Sequence, residues 1–169
     1  YRQLGFKNVK VLINDRALLK HLPYEAIVAI DKLKKIGEEG VLEDMKKKGI
    51  PEDNAREYLT YIKTIQPNDR IKTILLYLKH AGFPEDWYAF EPDIARSFAY
   101  ADGPSWEIIV PGFEAGSVLW GERFDGIIEA ISGTKIPATG FGLGFDRTYE
   151  AAEQYGLIPE LETQAKVLV

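Results

Sequence analysis

The sequence predicts an α+β fold, an antiparallel sheet with flanking helices and an inserted all-helical module. Three observations carry this. Residues 24–81 are sparse in glycine, rich in helix formers, and place apolar residues at helical spacing. After Phe83-Pro84 short strand-like runs follow one another across short turns, which implies antiparallel pairing rather than a doubly wound sheet. Between Ile136 and Phe145, large residues alternate with glycine at the period of a strand.

Taken in order, Phe6 to Ile13 alternate as a strand after the Gly5 stop. Asn14 or Asp15 then caps a short helix through Leu22, and Pro23 ends it. Four helical segments are expected at about 24–36, 38–48, 51–65 and 68–81. Ala26, Ile27, Ile30, Leu33 and Ile36 make the apolar face of the first, and Ile71, Ile74, Leu75 and Leu78 that of the last. Gly37, Gly49 with Pro51, and Pro67-Asn68-Asp69 separate them. Phe90 to Tyr100 is expected to be extended and Gly103-Pro104 a turn. Trp106 to Val110 and Ser117 to Trp120 read as strands, Phe124 to Ile131 as a helix, and Ile136 to Phe145 as the glycine strand. Asp146-Arg147-Thr148 opens a last helix running through Ala152 and Tyr155. The sheet-based domain thus comprises residues 1–23 and 84–160, interrupted by a helical module at 24–83.

The apolar fraction of 46% and the aromatic fraction of 12% are those of a globular chain. A net charge of −5 argues against nucleic-acid binding by bulk electrostatics but permits local basic patches. With no cysteine, disulfides and thiolate metal sites are excluded, and His21 and His80 lie too far apart in sequence to suggest zinc. No structural metal is expected. No apolar run approaches membrane-spanning length, and the start lacks a signal pattern. The intact protein is therefore expected in the cytoplasm, with no membrane partner. The first residues sit in mid-element and Lys166-Val-Leu-Val169 ends as a strand would, so a piece of a longer protein is expected.

The glycine strand is the most informative stretch. Gly140, Gly142 and Gly144 leave one strand face bare, against which a flat group can lie, and Arg147 stands at a helix N-terminus that favours an anion. A planar base beside glycines and a phosphate beside an arginine suggest a nucleotide. A tightly packed glycine strand whose arginine pairs with a surface carboxylate fits equally well. There is no GxGxxG fingerprint or Walker A loop, which excludes the commonest nucleotide folds. The lysines at 32, 34, 35 and at 46, 47, 48 read either as a solvated helix surface or as an RNA-backbone contact. Trp106 and Trp120 are expected in the core. Arg123 and Asp125 can form an ion pair closing the turn before the next helix, or contact a ligand.

Gly140-Phe-Gly-Leu-Gly-Phe-Asp-Arg147 resembles motif 3 of the class II aminoacyl-tRNA synthetases. Three further stretches make the resemblance one to histidyl-tRNA synthetases: Ile13-Asn-Asp-Arg-Ala-Leu-Leu19, Ala29-Ile-Asp-Lys-Leu-Lys-Lys-Ile-Gly-Glu-Glu-Gly-Val41 at the start of the insertion domain, and Gly121-Glu-Arg-Phe-Asp-Gly126. They occur in the family's order and at about its spacing, covering essentially the whole chain. The resemblance implies a class II synthetase-type sheet, with an anticodon-binding domain or its linker beginning in residues 161–169. It also implies that motifs 1 and 2 precede Tyr1, so that this chain by itself is expected to be inactive.

The family activity so implied is ATP-dependent formation of histidyl-adenylate, with Mg2+ on the phosphates, followed by transfer to tRNA(His) in a homodimer. Arg147 with Gly140, Gly142 and Gly144 matches the ATP-binding motif, and Arg96 matches the family's catalytic arginine at the α-phosphate. The amino-acid pocket falls on Tyr100, Ala101, Gly121, Glu122 and Phe124. Here the chain departs from the family: two tyrosines that help read the imidazole fall on Ala101 and Phe124, and a glycine falls on Glu122. A pocket discriminates through polar groups left unpaired by the wrong ligand, so these replacements bear on specificity. Two other readings are carried forward. One is a noncatalytic synthetase-like regulatory or sensor subunit, such as that of ATP phosphoribosyltransferase, and the other an RNA-binding module acting through its lysine-bearing helices.

Overall fold

The computed structural model describes residues 1–95, 100 and 102–159. Strands β1 (Lys10–Asp15), β2 (Tyr88–Phe90), β3 (Pro104–Ile109), β4 (Leu119–Arg123) and β5 (Thr139–Leu143) form one sheet in the order β2-β1-β3-β4-β5. Three of its pairings are antiparallel, and β1 with β2 is parallel. That last pairing differs from the all-antiparallel expectation for a topological reason. The chain leaves β1, traverses four helices and returns beside β1 in the same direction, the long crossover that a parallel pair requires.

The first strand lies later than the sequence pattern suggests, because it continues through two polar residues. Asn14 and Asp15 are fully buried in β1. Burial is tolerated because their groups are satisfied: Asn14 Nδ2 donates to Pro92 O at 3.0 Å and Ile94 O at 2.9 Å. Asp15 Oδ1 accepts from Ala17 N at 2.9 Å, capping the 3-10 turn Arg16–Leu19.

Helices α1 (Tyr24–Ile30), α2 (Leu33–Lys47) and α3 (Glu52–Thr64) share a core that includes Ala26, Ile27, Ile30, Val41, Met45 and Leu59. The predicted single helix over 24–36 is divided at Asp31–Lys32, and the expected break at Gly37 is a kink within α2, where φ is 68° and ψ 178°. Helix α4 (Asp69–His80) packs against β1 and β2. It is fixed at its start by Asn68, whose Oδ1 accepts from Ile71 N at 3.0 Å while Nδ2 donates to Asp15 Oδ2 at 2.9 Å. Arg70 adds an ion pair to the same buried carboxylate at 3.3 Å.

The strand expected over Phe90 to Tyr100 contracts to β2; residues 96–99 of that stretch lie outside the described residues, as do Ala101 and the segment 161–169. Helix α5 (Asp125–Ser132) follows β4, and α6 (Phe145–Gln154) follows β5, seating Ala151 on Phe6, Val9, Val110 and Val118. Among the described strands β5 is one of the two edges, β2 being the other, and its outward residues are bare: Phe141 is 70% exposed and Leu143 54%.

Candidate functional site

Cross-strand register decides which side chains meet. Glu122 pairs with Gly140 and Trp120 with Gly142, so the glycines of β5 and these two side chains share one sheet face. That face carries a hollow of about 370 Å3, whose walls include Tyr100, Trp120, Glu122, Phe124, Gly140 and Gly142. A Cβ on Gly140 would stand 3.3 Å from the Phe124 ring, and one on Gly142 3.6 Å from the Trp120 indole. The glycines therefore keep the space beneath two aromatic rings open. Glu122, 1% exposed, puts a buried carboxyl group at its base.

Five of the site residues expected from sequence thus converge: Tyr100, Glu122, Phe124, Gly140 and Gly142. Gly121 does not join them. It faces the other side of the sheet, where an added Cβ would come within 2.4 Å of the Trp106 indole and 2.7 Å of Gly140 O. Its role in the structure is to let Trp106 lie flat on the sheet. Gly144 caps α6, with Val118 O 3.1 Å from its Cβ position. Trp120, expected in the core, instead walls the hollow, because the register places it opposite Gly142 rather than under a helix. Arg96 and Ala101 lie outside the described residues.

Arg147 lies in the first turn of α6, where its Nη1 donates to Ser117 O at 3.1 Å. No carboxylate lies within ion-pair distance of it among the described residues, so the surface pairing that the glycine-strand alternative required is not found there. Its guanidinium borders a cleft of about 760 Å3, whose lining includes Lys34 and Lys35 of α2 and the acidic Asp31 and Glu114. Glu107 of β3 lines this cleft, and its cross-strand partner Trp120 lines the aromatic hollow. The two spaces are therefore neighbours on one sheet face. One is walled by rings and glycine, and the other offers a cation at a helix N-terminus, the arrangement that suits a flat group joined to an anionic one.

Charges nearby are arranged by burial. Arg16, immediately after β1, donates to Ala95 O at 2.9 Å. Burial lowers its pKa, partly offset by the negative potentials of Tyr24, Asp31 and Glu122. Sequence reasoning used Arg16 only as part of a motif; its proximity to Glu122 follows from the 3-10 turn folding back over the sheet. Arg123 and Asp125 form the ion pair, one of the two readings of these residues, with Nε 3.0 Å from both carboxylate oxygens and Nη2 2.6 Å from Oδ2. Together with the Ala138 N–H, that pairing holds the Asp125 carboxyl at about 2. Among the described residues no three His, Asp or Glu side chains group as a metal would need.

No family model matches the chain. The histidine–tRNA ligase of Aeropyrum pernix is 29% identical, covering 98% of this chain and 44% of its own length. Among solved structures, a histidyl-tRNA synthetase from Nostoc sp. PCC 7120 superposes with a TM-score of 0.73 over 94% of this chain, at 22% identity and 45% coverage of that protein. An ATP phosphoribosyltransferase regulatory subunit/histidyl-tRNA synthetase from Bacillus halodurans gives 0.54 over 87%, at 20% identity and 45% coverage. The chain spans less than half the length of the first curated relatives it matches.

Proposed function

We propose that this chain is a portion of a histidine–tRNA ligase, which it matches over nearly its whole length, and that it forms part of a site for ATP-dependent activation of histidine. The observation that carries this reading is the pair of adjoining spaces on one sheet face, with Arg147 in one and Gly140, Gly142, Phe124 and Glu122 in the other. The aromatic hollow takes the amino acid, with Tyr100 at its rim. The cleft takes the terminal phosphates of ATP, held by the Arg147 fork. Mg2+ would be carried on those phosphates, where it would help neutralise their charge.

In the reaction, a carboxylate oxygen of histidine attacks the α-phosphorus and pyrophosphate leaves; the tRNA(His) terminal ribose then displaces AMP. Both are displacements governed by positioning and charge neutralisation, for which arginines suffice and a protein nucleophile is not needed. Arg96 is assigned to the α-phosphate on the family resemblance. We assign the whole protein, on the same basis, to a cytoplasmic homodimer; among the described residues no helix is long and apolar enough to cross a membrane.

Histidine-dependent ATP–pyrophosphate exchange by the intact protein tests this. Removing a charged phosphate contact costs ~1.5–3 kcal/mol, so Arg147→Ala should raise the ATP KM about 10- to 100-fold while the circular dichroism spectrum is unchanged. An intact protein without exchange, yet binding ATP, would favour the regulatory-subunit reading. That alternative has its own observations in Phe124, which places a ring without a hydroxyl in the hollow, and in the Bacillus halodurans fold match.

A further inference from the structure

The lysine triplet at the start of α2 separates, in the structure, into three different environments. Lys32 pairs with Asp44 at 3.0 Å. Lys34 is held between Asp93 at 3.0 Å and Glu91 at 3.4 Å. Lys35 has no hydrogen-bond or ion-pair partner for its ammonium group among the described residues, and it lines the same cleft as Arg147. The kink at Gly37 sets Lys34 and Lys35 on a short turn apart from the rest of α2.

The cleft thus has a cation on each of two walls, Arg147 on the sheet side and Lys35 on the helical side, neither within ion-pair distance of a carboxylate among the described residues; Asp31, Glu107 and Glu114 also line it. Ser117 O already takes one Arg147 donor and aims the guanidinium, and Gly116, at φ 103°, leaves the approach to that guanidinium uncrowded. Two cations without ion-pair partners, on opposite walls of one open cleft, can each donate to a ligand that carries negative charge at more than one point.

We propose that Lys35 is a second polyphosphate-binding residue, contacting the terminal phosphates of ATP, or the pyrophosphate released from it, across the cleft from Arg147. The inference rests on the nucleotide reading given above and adds a role for the helical module: a bound polyphosphate bridges α2 and the sheet. Lys35 is then neither an idle solvated lysine nor an RNA contact, and Lys32, already paired, takes no part.

Titration calorimetry on the intact protein with Mg-ATP, pyrophosphate and adenosine tests this. Lys35→Ala should weaken ATP and pyrophosphate about tenfold, as loss of one charge-assisted contact does, and leave adenosine binding unchanged. Lys35→Arg should restore affinity to within about threefold, since the charge is kept. Lys32→Ala should match the wild type. Pyrophosphate should also slow hydrogen exchange at residues 33–36 in the wild type but not in Lys35→Ala. Should the alanine variant fail to fold, Lys35→Gln serves in its place. Unchanged ATP and pyrophosphate affinities in a variant whose Arg147→Ala counterpart is weakened would overturn the proposal while leaving the nucleotide site standing. Equal loss of adenosine and ATP would also overturn it, showing a distorted pocket. A wild-type protein that binds neither ATP nor pyrophosphate would sink the nucleotide reading itself.

Discussion

Gly121 and Gly142 are one residue apart in register and opposite in purpose. The Cβ position at Gly121 is 2.4 Å from the Trp106 indole and 2.7 Å from Gly140 O, with backbone on one side and a bulky ring on the other. Overpacking of this kind costs ~1–3 kcal/mol, so Gly121→Ala should lower the melting temperature by several degrees. At Gly142 the nearest atoms are 3.6 Å away, an ordinary contact, yet the added methyl enters the hollow. Gly142→Ala should therefore melt within about 0.5 kcal/mol of the wild type but bind histidine or ATP more weakly. Calorimetric melting with ligand titration separates the two effects. The two glycines belong to two motif stretches on paired strands, and only the face each turns to tells which is for packing and which for binding.

At the scale of elements, the turn from β4 into α5 is held by charge. Arg123 grips Asp125 with three short contacts, Asp125 Oδ1 also accepts from Ala138 N at 2.8 Å, and Asp102 Oδ2 accepts from Gly126 N at 2.7 Å. This ties the start of α5 to the strand entering β5 and so positions Phe124 and Gly140 relative to each other. With the Asp125 carboxyl lowered from 3.8 to about 2, its stabilising effect is complete above the unfolded value and is lost as pH falls through the folded one. The stability difference between wild type and Asp125→Asn should be constant above about pH 5 and shrink between about pH 4 and 2. Denaturant unfolding at a series of pH values measures it. A difference that instead persisted undiminished at pH 2 would show that the carboxylate charge is not what holds this turn.

At the scale of the molecule, the sheet face opposite the hollow ends in a bare edge. Phe141, Leu143 and Phe145 are 70%, 54% and 72% exposed, on and just beyond an edge strand whose outer backbone groups pair with no described strand. An uncovered apolar edge of this kind recruits other chains. Residues 1–169 produced by themselves should self-associate with rising concentration in sedimentation velocity, and Phe141→Glu should shift the population toward monomer. The helical half behaves differently, since its apolar residues are consumed in the core shared by α1, α2 and α3.

Much of this was legible in the letters. Period-two glycines named a strand, helix formers and apolar spacing marked four helical segments while misplacing the boundary between the first two, and four ordered motifs tied the chain to its relatives, because each of these signals is local. Pairing register, by contrast, joins residues far apart in the chain. It was register that put Trp120 in the hollow and turned Gly121 away from it, and the long helical crossover that made β1 and β2 parallel. Which lysine of a triplet stays without a carboxylate was likewise settled only when Asp44, Glu91 and Asp93 came into reach. The sequence by itself determined the elements and the chemistry they can carry. The tertiary structure decided which of those groups face one another, since a single-residue change of register exchanges every side chain between the two faces of a sheet.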